Sequence, residues 1–254
     1  MAKKMVFIGG LHRSGTSILH RVISSSEAVS GFSNTGVPED EGQHLQTVFK
    51  AANKFGGPGK FAFNTDAGLD ENSPLVSTAN RDKLITEWTP LWDAEKPVWV
   101  EKSPPNLIRT RFFQALFPDA LFITLFRHPL AVALATQKWS KTSVHELLKH
   151  WIKAHQIYLQ DKPHLNHVLE FSYEHMTQQP EAIIKALEAF VDIKIDYHGS
   201  FINMNGKYLD KWRTLKSWQW LRKREQEKCI RDYEEQLNEF GYSLVDLDRF
   251  PLAF

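Results

Sequence analysis

The chain has 254 residues, of which 42% are hydrophobic and 12% aromatic, with one cysteine. This length suits one α/β domain rather than two, and the apolar share is enough for a core, so disorder is excluded as the main state. Against 31 Lys and Arg stand 30 Asp and Glu, a net charge of +1; a general polyanion binder, and with it a nucleic-acid partner, is excluded, and any anion recognition is expected to be local.

Residues 5–9 are a short apolar run, shorter than a secretory signal core, that opens directly into Gly10-Leu11-His12-Arg13-Ser14-Gly15-Thr16-Ser17. Ile18, Leu19, Val22 and Ile23 then fall at helical spacing, so strand, loop and helix follow one another as at the start of an α/β fold. Residues 39–53 read as a helix with Leu45, Val48 and Phe49 on one face. Residues 54–74, with four glycines and few apolar anchors, read as a long surface loop able to serve as a lid. The spacing predicts further helices over 78–92, 107–116, 144–159, 180–191 and 225–240, the last closed by Gly241, and one that begins at Pro129. Strands are predicted at 98–101, 121–126 and 167–172. At least four strands alternating with helices, through connections long enough for crossovers, make a mainly parallel central sheet flanked by helices, in a single domain over residues 1–254. A lone Cys229 allows no internal disulfide and no thiolate zinc cluster. His145, His150 and His155 recur every five residues, which is not the i, i+4 spacing of a zinc pair. No stretch approaches a membrane span, and a cytoplasmic protein without a membrane partner is expected. The tryptophans, among them Trp88, Trp92, Trp99, Trp212, Trp218 and Trp220, are expected in the core or at its rim.

A strand that feeds a glycine-bearing loop and a helix offers backbone N–H groups and a positive helix end to an anion. Residues 10–17 keep the G-x-x-x-x-G-K-[ST] spacing, except that Thr16 stands where the nucleotide-binding lysine belongs. With Arg13 in the loop and hydroxyls on Ser14, Thr16 and Ser17, the site suits a phosphate-like group other than the triphosphate of ATP. Residues 9–17 resemble the 5′-phosphosulfate loop of the sulfotransferase family, whose donor is 3′-phosphoadenosine 5′-phosphosulfate (PAPS). Residues 121–129 resemble the family's second signature, a strand ending in an arginine, and Glu101-Lys102-Ser103-Pro104 is similar to a lysine-bearing motif of tyrosylprotein and bacterial members.

The resemblance runs from about residue 5 to about residue 191. It implies a three-layer P-loop-type α/β fold, PAPS as donor and an acceptor hydroxyl (less readily an amine) of open class. No metal is expected, because a sulfuryl group carries less charge than a γ-phosphate. Arg13, Ser14, Gly15, Thr16 and Ser17 would hold the 5′-phosphosulfate, and Arg127 the 3′-phosphate, with Tyr173 near the nucleotide. The serine that the family places eight residues after the arginine is Ala135 here. From the C-terminal part, Lys207 in Asn205-Gly206-Lys207 is a further nucleotide contact, and the basic aromatic stretch 212–224 is placed to cover it.

Lys102, fixed at a strand end by its neighbours, is the expected cation for the bridging oxygen, as the resemblance also implies. The general base is expected in residues 36–44, where Glu39, Asp40, Glu41 and His44 gather. The likeness to the tyrosylprotein enzymes points to Glu41; Glu39 and His44 stay open, a histidine being the base in the cytosolic small-molecule branch. Two other readings remain. A P-loop kinase or nucleotide hydrolase has Thr16 against it, and a non-catalytic adenosine-bisphosphate-binding protein has Ala135 in its favour.

Overall fold

In the computed structural model, which describes residues 3–216 and 218–251, the first apolar run becomes β1 (Lys4–Gly9). It lies at the centre of a parallel sheet with β2 (Val29–Gly31), β3 (Val98–Lys102), β4 (Leu121–Phe126) and β5 (Val168–Ser172), in the order β2-β3-β1-β4-β5. Register places Ile8 beside both Lys102 and Ile123. The C-terminal ends of β1, β3 and β4 therefore meet at one edge, where ligands bind in open parallel sheets.

Strand side chains alternate between two buried faces, which explains why the strands read as unbroken apolar runs. Val6, Ile8, Val100, Ile123 and Leu125 pack against α1 (Thr16–Ser24), α6 (Tyr173–Gln178) and α7 (Pro180–Val191). Phe7, Trp99 and Phe122 point the other way, toward α2 (Thr78–Trp88) and α3 (Thr110–Leu116); the Phe7 and Phe113 rings stack with centroids 4.2 Å apart. On that same side α4 (Pro129–Ser140), α5 (Val144–Asp161), α8 (Gly206–Arg213) and α9 (Trp220–Glu239) gather around Trp151 and Tyr158. The three layers are those expected. Among the described residues no helix is long and apolar enough to cross a membrane. Cys229 is a free, buried thiol, pushed up to about 12 by burial.

The helix expected over 78–92 ends at Trp88 and gives way to a 3-10 turn, and the one expected over 225–240 starts already at Trp220; three further segments differ more. Residues 39–53 hold no α-helix; short 3-10 turns span Pro38–Asp40, Gly42–His44 and Ala52–Phe55. Glu39 and Asp40 are left-handed (φ 53° and 50°), and Asp40 is anchored by the N–H and hydroxyl of Thr35 at 2.7 and 2.6 Å. The Gln46 amide bonds the backbone of Val48 and Phe49 in place of a helix ladder. The stretch 54–74 is not a surface lid: Phe61, Ala62 and Ala67 are buried, with Phe61 edge-on to the His150 ring at 4.8 Å. The helix expected at 107–116 is shortened to α3 by a 3-10 turn at Pro104–Ile108, in which the Asn106 amide donates to the Ile8 carbonyl.

Candidate functional site

The loop between β1 and α1 turns on Gly10 (φ 152°), Arg13 (φ 70°) and Gly15 (φ 102°). Space also demands glycine, since a Cβ on Gly10 would lie 2.6 Å from the Leu125 carbonyl oxygen and one on Gly15 2.7 Å from the Tyr173 ring. No side chain caps α1. Its ladder starts with Ile18 and Leu19, both donating to the Gly15 carbonyl at 2.9 and 3.1 Å. The N–H groups of Thr16 and Ser17 precede that ladder and are left for an anion at the positive helix end.

A cavity of about 380 Å³ opens at this point. Arg13, Gly15, Thr16 and Ser17 line it from the loop, Arg127 and Tyr173 from just beyond β4 and β5, and Glu39 and Glu41 from the 3-10 turns. Arg21, Trp139, Lys207 and Tyr208 line it as well, and the Arg13 guanidinium lies over the Trp139 ring at 4.5 Å.

Arg127 is buried and held on three sides. Its Nε donates to Asn205 Oδ1 at 2.8 Å, its Nη1 donates to the Arg13 carbonyl at 2.7 Å, and the Tyr173 ring lies 4.0 Å from the guanidinium carbon. Asn205 is fixed in turn by its Nδ2 on the Glu174 carboxylate, which also accepts the His128 N–H at 3.0 Å. The remaining nitrogen, Nη2, is buried without a partner. Such an orphaned donor fits an anionic ligand group. Burial lowers the pKa of Arg127, yet a guanidinium stays charged at neutral pH.

Across the cavity, Glu41 is 5% exposed. One of its oxygens accepts the Gln43 amide and lies 3.8 Å from His44 Nε2; the other is 3.6 Å from Lys102 Nζ. Burial pushes the Glu41 carboxyl up to about 7, against the opposing pull of Lys102 and Gln43. A base with that pKa is matched to work near neutrality. Lys102 is buried as well and donates to the Glu39 carbonyl at 2.7 Å. Beneath them Glu101 accepts bonds from Ser103 and Asn106, and a Cβ on Gly42 would lie 2.5 Å from its Cγ. This contact presses the 3-10 turn onto the end of β3.

The structure thus brings Arg13, Gly15, Thr16, Ser17, Arg127, Tyr173, Lys207, Glu39 and Glu41 to one cavity wall. Ser14 is outside that wall, with a buried hydroxyl that lacks a partner. Lys102 lines an adjoining cavity instead, and His44 contacts Glu41 from behind. Ala135 is packed in the core and is not part of the wall. Of the basic aromatic stretch, Trp212 is buried and Trp218 and Trp220 are exposed, all outside the wall. Sequence reasoning missed Trp139, Tyr208, Arg21 and the Glu174–Asn205 support. Arg21 had a signal, lying one helical turn after Ser17; the others are joined to the site only through tertiary contacts.

The family model described as "Sulfotransferase family" matches residues 5–197. An uncharacterized protein of Aquifex aeolicus (strain VF5) is 24% identical over 207 residues, which is 76% of this chain and 26% of that protein. The chain thus spans about a quarter of the length of the curated relative it matches. A sulfotransferase of Mycobacterium tuberculosis H37Rv superposes with a TM-score of 0.52 at 13% identity, over 77% of this chain and 69% of that one. The sulfotransferase domain of the Synechococcus PCC 7002 olefin synthase gives 0.50 at 19% identity, over 85% and 90%. These likenesses show a shared P-loop-type fold. Since the family model covers most of the sequence, including the anion loop, Lys102 and Arg127, the chain belongs to the sulfotransferase family.

Proposed function

We propose that this chain acts as one sulfotransferase domain, moving a sulfuryl group from PAPS to an acceptor hydroxyl. The observation that carries the reading is the pairing, across one cavity, of an uncapped helix N-terminus with a carboxyl pushed up to about 7. When bound, the donor supplies an S–O bond that breaks as the acceptor oxygen bonds to sulfur, its electron pair leaving with the nucleotide's phosphate.

This chain's residues do the rest. The Thr16 and Ser17 N–H groups and the Thr16 hydroxyl bind the phosphate end, with Arg13 beside them. Arg127, with Nη2 unspent, takes the second phosphate through a charge-assisted bond. Glu41 accepts the acceptor's proton. Lys102, 3.6 Å away, stabilises the carboxylate before transfer and the growing negative charge during it. The Tyr173 ring keeps water from the inner face of the guanidinium. The absence of the P-loop lysine at Thr16 weighs against ATP.

The test is incubation with sulfur-35-labelled PAPS and a panel of phenols, alcohols and sugars. The expected result is label in at least one acceptor. Hydrolysis of ATP with Mg²⁺ and no labelled product overturns the reading in favour of a nucleotide hydrolase.

A further inference from the structure

A second cavity, of about 570 Å³, adjoins the first and shares Ser17, Arg21 and Glu39 with it. The catalytic pair stands in the partition, for Glu41 lines the first cavity and Lys102 the second, 3.6 Å apart. The shared residue Glu39 joins them there, its carbonyl accepting from Lys102 at 2.7 Å. The second cavity runs along α1 to the edge strand β2, and its chemistry is unlike that of an aromatic-binding pocket. Ser24, Ser25, Ser30, Ser33 and Asn34 line it, with Val29 and Phe32 its apolar members.

Two polar groups there lack partners. His20 is 9% exposed with Nε2 unbonded, and the buried Ser24 hydroxyl oxygen is also unbonded. Gly31 lets both reach the wall, since a Cβ there would lie 2.4 Å from each. Buried polar atoms left open in this way fit a ligand that brings its own donors and acceptors.

The charges have a direction too. Arg21, Lys96 and Lys102 line the cavity against Glu39 and Asp40. Both acids are already engaged: Asp40 accepts from Thr35, and Glu39 accepts the Ser17 hydroxyl at 3.1 Å. Arg21 makes no ion pair among the described residues, and Lys96 spends one bond on the Val29 carbonyl at 3.0 Å, leaving donors free. The free cationic donors of Arg21 and Lys96 are the groups that an acidic ligand would engage.

We infer that the second cavity holds the acceptor, and that the acceptor is a small polyhydroxylated molecule carrying an acidic group, a sugar acid in chemical class. The inference rests on the donor reading for the role of acceptor, though not for binding itself. A hydroxyl of the bound acid reaches the partition, where its oxygen attacks sulfur, its proton passes to Glu41 and the S–O bond to the nucleotide breaks.

The experiment measures D-glucuronate, D-glucose and 4-nitrophenol binding by saturation-transfer NMR and titration, alongside calorimetry with adenosine 3′,5′-bisphosphate. Glucuronate is expected to bind more tightly than glucose, with 4-nitrophenol weakest. Lys96→Met and Ser33→Glu, the latter at an exposed wall position, are each expected to weaken glucuronate about tenfold and leave nucleotide affinity unchanged. Unchanged nucleotide affinity also certifies that each variant is folded. Equal binding of glucose, preference for 4-nitrophenol, or indifference of glucuronate to both substitutions overturns the inference. Nucleotide binding without glucuronate binding overturns it and leaves the donor reading intact. Glucuronate binding without nucleotide binding overturns the donor reading and retains the acid site.

Discussion

Glu41, the proposed base, owes its pKa to burial. Removal from water raises its pKa to about 7, and Lys102 at 3.6 Å keeps the shift from going further. The sign for activity follows: below this value the carboxyl holds its proton and cannot take another, and above it the base form is complete. Sulfuryl transfer is therefore expected to rise with pH and to reach half its plateau near pH 7. Glu41→Gln is expected to lower kcat by roughly 10²–10⁴ and to remove that pH limb, with nucleotide affinity nearly unchanged. His44→Ala, beside Glu41 yet behind it, is expected to retain kcat within about tenfold, as is Glu39→Gln at its exposed site. A dead His44 variant together with an active Glu41→Gln would reassign the base. Steady-state kinetics from pH 5.5 to 9 on the three variants decides.

At the scale of elements, β1, its loop and α1 form the unit on which the proposed nucleotide binding rests. Gly15→Ala forces a left-handed alanine, at about 1–2 kcal/mol, and drives its Cβ to 2.7 Å from Tyr173. The expected outcome is a lower Tm and at least tenfold weaker nucleotide binding, read by thermal melts and titration; unchanged affinity contradicts the assigned loop geometry. This unit was legible in the sequence because its signals are local: an apolar run, three glycines and helical spacing within 20 residues. The same holds for α7, whose span matches the periodicity at both ends. What was illegible was long-range. Nothing near Gly42 announces that Glu101, on β3, packs against it, and this contact together with Asp40 on Thr35 denies residues 39–53 the helix that their apolar spacing suggests. Phe61 is in the core because α5 supplies the His150 ring, not because of its own neighbours. Three-residue β2 is too short to show any period.

For the whole molecule, the site is one edge of a sheet packed among buried, neutral histidines. His20 is held down to about 4 and His128, His150 and His155 to about 3, with burial the largest cause in each. In the unfolded chain each regains a pKa near 6.5, so the unfolded state binds more protons below that value and stability falls as pH drops. Each histidine works against stability by up to about 1.4 kcal/mol per pH unit below pH 6.5, while the Glu41 carboxyl, raised to about 7, works the other way; the change of Tm between pH 6.5 and 4.5 is therefore expected to be less unfavourable in His155→Gln than in the native protein, and an identical change contradicts neutral burial of His155. The arrangement as a whole claims that the helix N-terminus at Thr16 and the guanidinium of Arg127 grip the two ends of one nucleotide. The most direct test is isothermal calorimetry with adenosine 3′,5′-bisphosphate on the native protein and on Arg127→Ala. The account predicts saturable heat at 1:1 stoichiometry that weakens at least tenfold in the variant, and no comparable heat from ATP with Mg²⁺. Absence of heat from the bisphosphate, or equal affinity in Arg127→Ala, would contradict it.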